Sequence, residues 1–148
     1  MRHQAARRSC GAHTLVEEMK HICLKPDVFP LTFHFLFGKW DRKEAQKKVG
    51  VPKGEVLDNP KAAARCWDRG CHQIIWMPSK KKATNKELPL LVHEITHATL
   101  HAGAEIGFTD CDAGAEFYAY MAQWLIEEVL RKLRKEDKLT TESKNTRF

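Results

Sequence analysis

Residues 91–97 have the sequence Leu91-Val92-His93-Glu94-Ile95-Thr96-His97, an HExxH motif within a segment of helical periodicity. Asn85 is a favourable N-cap before this segment, Pro89 falls near its first turn, and Gly103 is a common type of helix stop. We therefore predict a helix from about Asn85 to Gly103 that packs against a core. Its apolar positions recur every three or four residues: Leu88, Leu91, Val92, Ile95, Ala98, Thr99 and Ala102.

The two histidines of this helix have the spacing of metal ligands. Residues four apart lie one above the other, so the imidazoles of His93 and His97 can reach one ion from the same side. Two nitrogen ligands, an open coordination position and a carboxylate base are what a zinc hydrolase requires. The motif therefore predicts Zn²⁺ at His93 and His97. It also predicts a peptidase in which Glu94 assists attack by a zinc-bound water and passes the proton to the leaving amine.

A third protein ligand is expected downstream of the motif. Glu116 follows His97 after 18 residues, giving HExxH-x18-E, the spacing of the gluzincin class of metallopeptidases. Asp112 lies four residues before Glu116 on the same predicted helix face, so one carboxylate can bind the metal while the other orients a histidine. Asp112 is equally suited to capping that helix. We predict Glu116 as the ligand, with Asp112 as the alternative.

The segment from the motif onward resembles small zincin-like proteins encoded by bacteriophages. The resemblance rests on the run from His93 to Ala98, on Gly107, and on Glu116-Phe117-Tyr118-Ala119-Tyr120-Met121. It extends loosely upstream to Trp40-Asp41-Arg42 and covers about Leu31 to Leu130. It implies a zinc-binding, gluzincin-type metallopeptidase fold. A more distant similarity to ImmA/IrrE-type regulatory metallopeptidases would place Asp112 at the acidic ligand position.

Two further side chains are candidates for the site. Tyr120 lies one turn after Glu116, where its hydroxyl could donate to an oxyanion or its ring could simply pack. His101 lies one turn after His97 and is interpreted first as an ordinary polar residue, then as a substrate-side donor and last as a metal ligand. Catalysis is accordingly assigned to Glu94 and Tyr120, and metal binding to His93, His97 and Glu116.

The order of elements predicts an α+β fold, a single zincin-like domain over residues 1–148 with flexible ends at 1–12 and 138–148. A small mixed or antiparallel sheet would pack on the HExxH helix and on a long C-terminal helix. We expect the strand Cys71–Met77 to border the cleft and pair with an extended peptide. The other predicted elements are a helix Thr14–Cys23, a strand Leu31–Gly38, a helix Arg42–Val49, a strand Ala62–Trp67 and a helix Ala113–Lys135.

Composition limits the class of protein. Hydrophobic residues make up 43 % and charged residues 30 %, and no apolar run is long enough to span a membrane. Five cysteines without a CxxC pair favour reduced thiols in a cytoplasm, the host's if the chain is phage-encoded.

The net charge of +6 supports an alternative function that does not require catalysis. A catalytically silent metal-binding protein could use basic runs such as Lys80–Lys82 and Arg131–Lys135 to bind nucleic acid or a protein. Such runs more often form solvated surfaces, so a peptide or protein substrate is the preferred partner.

Overall fold

A four-stranded mixed sheet forms the centre of the fold. The computed structural model describes residues 18–52, 55–61, 63–78, 87–108 and 112–145, with the side chains of 112, 113 and 136–145 left aside. The elements in chain order are β1 (Lys20–Leu24), β2 (Thr32–Phe37), α1 (Arg42–Val49), β3 (Arg65–Arg69), β4 (His72–Met77), α2 (Glu87–Glu105) and α3 (Asp112–Asn145). The protein is thus α+β and a single small domain, as its sequence predicts.

The strands lie in the order β1-β2-β4-β3. β1 and β3 run antiparallel to their neighbours, whereas β2 and β4 are parallel, with His34 opposite Ile74. β4 therefore has a hydrogen-bonded strand on both sides, and it cannot accept a peptide as a further strand. The expectation that the strand Cys71–Met77 pairs with an extended peptide is therefore wrong, because β3 and not β4 is the edge strand on this side of the sheet.

Side chains alternate between the two faces of the sheet. Phe33, Phe35 and Phe37 of β2 point to the face covered by α2 and α3, where they meet Ile95 and Leu125. Complete burial of a phenylalanine contributes about 1.5–3 kcal/mol, so this layer is a main source of stability. The opposite face is covered by α1 and by an indole cluster in which Trp40 stacks on Trp67 and meets Trp76 edge-on.

The helix α1 matches its prediction at both ends. Asp41 caps it, since its carboxylate accepts a hydrogen bond from the Glu44 N–H at 3.0 Å. Gly50 ends it with a φ of 68°, the left-handed conformation that glycine adopts without strain.

The helix α2 extends beyond its predicted end. Gly103 lies inside the helix, and the chain leaves it at Gly107, which has a φ of 84°. The Phe108 N–H donates to the Gly103 carbonyl at 2.9 Å and the Gly107 N–H to the Ala104 carbonyl at 3.2 Å, the paired bonds of a Schellman motif. Gly103 is needed for packing instead, because the ring of Tyr118 on α3 lies directly against it.

Three other boundaries differ from the predictions. Lys20–Leu24 forms a strand, not the end of a helix, because its backbone pairs with β2. β3 starts at Arg65 instead of Ala62 and continues to Arg69, and α3 runs on to Asn145. Residues 14–17, 1–12 and the predicted cap Asn85 lie outside the described part of the chain. Among the described residues, no helix is both long enough and apolar enough to cross a membrane.

Gly103→Ala should destabilise the protein by about 1–3 kcal/mol, as overpacked cores do. Glycine to alanine in a helix ordinarily stabilises by about 1 kcal/mol. Here a β-carbon would overlap Cε1 of Tyr118, whose hydroxyl is held by the Phe108 carbonyl at 2.8 Å. Denaturant unfolding measures the difference.

The same substitution in a Tyr118→Ala background is the control. With the ring removed, Gly103→Ala should be neutral or stabilising. An equal loss of stability in both backgrounds would contradict the close packing of α2 on α3.

Candidate metal centre

The two motif histidines lie close together on the exposed side of α2. Both are exposed, and their Nε2 atoms lie 3.1 Å apart. The rings are inclined by 81° with centroids 4.7 Å apart, so they do not face each other end to end. Two nitrogen atoms on one tetrahedral zinc, each at about 2.0–2.1 Å, would be separated by roughly 3.3 Å. The pair therefore has the spacing of two ligands of a single ion.

Glu94 lies on the sheet side of α2, next to these histidines. Its side chain is 6 % exposed. Burial and, second, the nearby Glu94 carboxylate raise the pKa of the Cys66 thiol on β3 to about 12. Glu94 is thus positioned between α2 and the edge strand, where a carboxylate is largely screened from bulk water.

The histidine side of α2 continues along β3. The ring of His101 follows that of His97 at a centroid separation of 6.5 Å, and His101 Nδ1 lies 3.6 Å from Oδ2 of Asp68. Asp68 is itself held in place, since its Oδ1 accepts hydrogen bonds from Gln73 Nε2 at 2.7 Å and from the Gly70 N–H at 3.1 Å. His101, one turn after the motif, therefore lies beside the edge strand β3.

The predicted third ligand lies elsewhere. Glu116 is exposed on α3 and lines a groove with Asp27, Phe29 and Tyr120. α3 contacts α2 through Tyr118, which lies about 200° around the helix from Glu116 at 100° per residue. The structure therefore brings His93, Glu94 and His97 together but does not bring Glu116 or Tyr120 to them.

No alternative ligand set is complete among the described side chains. Within them, no three His, Cys, Asp or Glu residues are arranged to hold a metal ion. Asp112, the alternative acidic ligand, begins α3, and its side chain lies outside the described residues. The two imidazoles have the spacing of metal ligands, and no third ligand is grouped with them among the described side chains.

Sequence reasoning missed a row of three histidines on the opposite face of the sheet. His34 Nδ1 lies 3.0 Å from His21 Nε2, and His34 Nε2 lies 3.2 Å from His72 Nδ1. The ring centroids are 5.3 and 5.5 Å apart, 2.3 Å more than the nitrogen separations in both cases, and the rings are within 16° of coplanar. The rings therefore meet edge to edge, as a chain of N–H···N hydrogen bonds, and their nitrogens do not converge on a common ion.

Burial keeps the central imidazole of this row neutral. It lowers the pKa of His34 from 6.5 to about 4, with smaller contributions from His21, His72 and Lys25. Burial, and then Lys48, also lower the pKa of His21. The only sequence signal for the row is a histidine in each of three strands, and it becomes informative only once the strand order is known.

The row formed by His21, His34 and His72, called the His34 row below, should make the protein less stable in mild acid. The folded-state pKa of His34 lies below its unfolded value, so the unfolded chain binds more protons between pH 6.5 and about 4. The contribution of neutral His34 to the free energy of unfolding is complete above pH 6.5, and it is lost as pH falls through this window. Its size should be on the order of 1–2 kcal/mol after allowance for solvent screening at the open ends of the row.

Denaturant unfolding across this pH range should show a smaller loss in His34→Phe than in wild type. His101→Gln, an exposed histidine outside the row, should keep the wild-type dependence. An unchanged pH dependence in His34→Phe would contradict the neutral buried row.

Comparisons with protein-family models, with curated proteins and with solved structures find no match to this chain. The likeness to phage zincin-like proteins therefore remains an expectation from the motif residues.

Proposed function

We propose that this protein is a zinc-dependent hydrolase that cleaves peptide bonds. One observation carries the proposal: the Nε2 atoms of His93 and His97 lie 3.1 Å apart, with the buried carboxylate of Glu94 next to them in the chain. The contrast with the His34 row supports it, because those histidines meet in line and leave no common point for an ion.

His93 and His97 would hold the metal, with a carboxylate as third ligand. The sequence spacing favours Glu116, which the structure places in a separate groove, and the more distant resemblance favours Asp112. When bound, Zn²⁺ supplies Lewis acidity, which polarises a carbonyl and lowers the pKa of water toward roughly 7.

Glu94 is the proposed general base. It is adjacent to His93 and lies between α2 and β3, so it can accept a proton from water in the cleft and return it to the leaving amine. Its burial restricts the carboxylate to this side of the helix, which limits the directions from which the proton can come.

The outer edge of β3 is the proposed binding site for the substrate backbone. Within the described part of the chain, β3 pairs only with β4, so its other side offers backbone N–H and C=O groups. Asp68 and Cys66 of this strand lie beside His101 and Glu94, respectively. A peptide added as a fifth strand would therefore pass along the motif residues.

Metal content tests the site directly. We expect about one zinc per chain in protein purified without an affinity-tag metal, and loss of that zinc in His93→Ala and His97→Ala, because each variant removes one ligand. Elemental mass spectrometry measures it. Glu116→Ala and Asp112→Ala identify the third ligand, and Asp68→Ala is a matched carboxylate control that should keep the metal. A wild-type chain without stoichiometric metal would remove the proposal.

Glu94→Gln should retain zinc and reduce hydrolysis of labelled casein by roughly 10²–10⁴-fold, the usual contribution of a general base. The substitution keeps the size of the side chain but removes the proton acceptor. Glu105→Gln, an exposed carboxylate on the same helix, should leave both zinc content and turnover unchanged. Full activity in zinc-loaded Glu94→Gln would exclude the assigned base.

A further inference from the structure

One side of α3 carries a stripe of side chains that are exposed, apart from Trp124, which is half-buried and also packs against the core. Its members are spaced by three or four residues and so share a helix side. The core side is formed instead by Phe117, Met121, Leu125 and Val129. The stripe consists of Glu116, Tyr120, Trp124, Glu127, Arg131 and Arg134.

The N-terminal half of the stripe forms one wall of an apolar, acidic groove. The groove has a volume of about 650 Å³ and includes Phe29, Tyr120 and Trp124. Its charged lining residues are Asp27 and Glu116, and no basic side chain lines it among the described residues. Tyr120 is 68 % exposed, which is unusual for an aromatic ring of this size.

The C-terminal half of the stripe has the opposite charge. Arg131 is bound by Glu128 at 2.6 and 3.1 Å but remains largely exposed. Arg134 and Lys135 are exposed beside Leu130. Within the described part of the chain, Arg134, Lys135, Asp27 and Glu116 have no hydrogen bond or ion pair through their side chains.

We propose that the stripe is the interface of a homodimer, in which the α3 helices of two copies pack antiparallel. A two-fold axis between Trp124 and Glu127 would set Glu116 opposite Arg134 and Lys135 of the second copy. The same axis sets Tyr120 opposite Arg131 of that copy, an arrangement that favours a cation–π contact. Glu116 and Arg134 are 18 residues apart, about 27 Å along the helix.

A second copy is the occupant that satisfies both halves of the stripe at once. In an antiparallel pair, the acidic groove of each copy meets the basic end of the other copy. The same contact therefore forms twice, as a two-fold interface requires. A parallel pair would instead place like charges together. Any other basic segment could fill the groove, but it would leave Arg134 and Lys135 without partners.

The charges set orientation, and the apolar groups supply most of the association energy. Pairing covers Tyr120, Trp124 and Val28, which is 82 % exposed beside the groove. The ion pairs lie at the rim, so they should be weakened by salt.

Charge exchange tests the interface. Sedimentation velocity should show a dimer for wild type, and Glu116→Arg and Arg134→Glu should each weaken it by at least roughly tenfold in Kd, because each puts like charges opposite one another. The double variant Glu116→Arg with Arg134→Glu should dimerise more tightly than either single variant, since the pair between positions 116 and 134 is then reversed on both sides of the axis while Lys135 keeps its charge. Asp27→Lys should also weaken it, and Asp27 is not a candidate metal ligand.

Lys47→Glu is the matched control. It makes the same change in charge as Arg134→Glu on an exposed position of α1, across the sheet from α3, and should leave the dimer intact. Circular dichroism melting confirms that each variant is folded. A wild type that stays monomeric at all concentrations would overturn the proposal. So would a double variant that fails to recover, and binding of a basic peptide by a monomer would assign the groove to another partner.

Discussion

The packing of α2 across β3 and β4 is the constraint on which the site depends. Leu91, Ile95, Ala98 and Ala102 are buried against the sheet, and this stripe fixes the rotation of the helix about its axis. Once that rotation is set, His93 and His97 can only project outward, while Glu94 is turned toward the edge strand. The buried apolar side chains of α2 thus determine the direction of its polar groups, although they would not contact a ligand themselves.

The fold contains two groups of histidines with different chemistry, and their backbone positions explain the difference. Side chains one turn apart on a helix can reach a common external point, and the Nε2 atoms of His93 and His97 lie 3.1 Å apart with their rings inclined by 81°. Side chains on neighbouring strands stand side by side on a flat surface, so the rings of His21, His34 and His72 meet edge to edge. The first arrangement suits an ion, whereas the second suits shared protons.

The contacts that α3 makes with the core set the rotation of this helix about its axis. Phe117 and Leu125 close the core, and Tyr118 packs against Gly103 to hold α2 in place. This contact turns Glu116 and Tyr120 toward the groove beside Phe29. The rotation that stabilises the core therefore separates Glu116 from the motif histidines and creates an apolar surface with acidic groups.

The sequence by itself determined the elements whose signal is local. The periodicity around residues 91–97 and the helix Arg42–Val49 depend on neighbours within one or two turns, and the structure agrees with them. The pairing of His93 with His97 follows from helix geometry alone. Tertiary structure decided the rest: that Lys20–Leu24 is a strand, that β4 is an inner strand, that Gly103 is a packing site and that Glu116 lies in a groove. These features depend on strand order and on the rotation of packed helices, which arise from contacts between residues far apart in the chain.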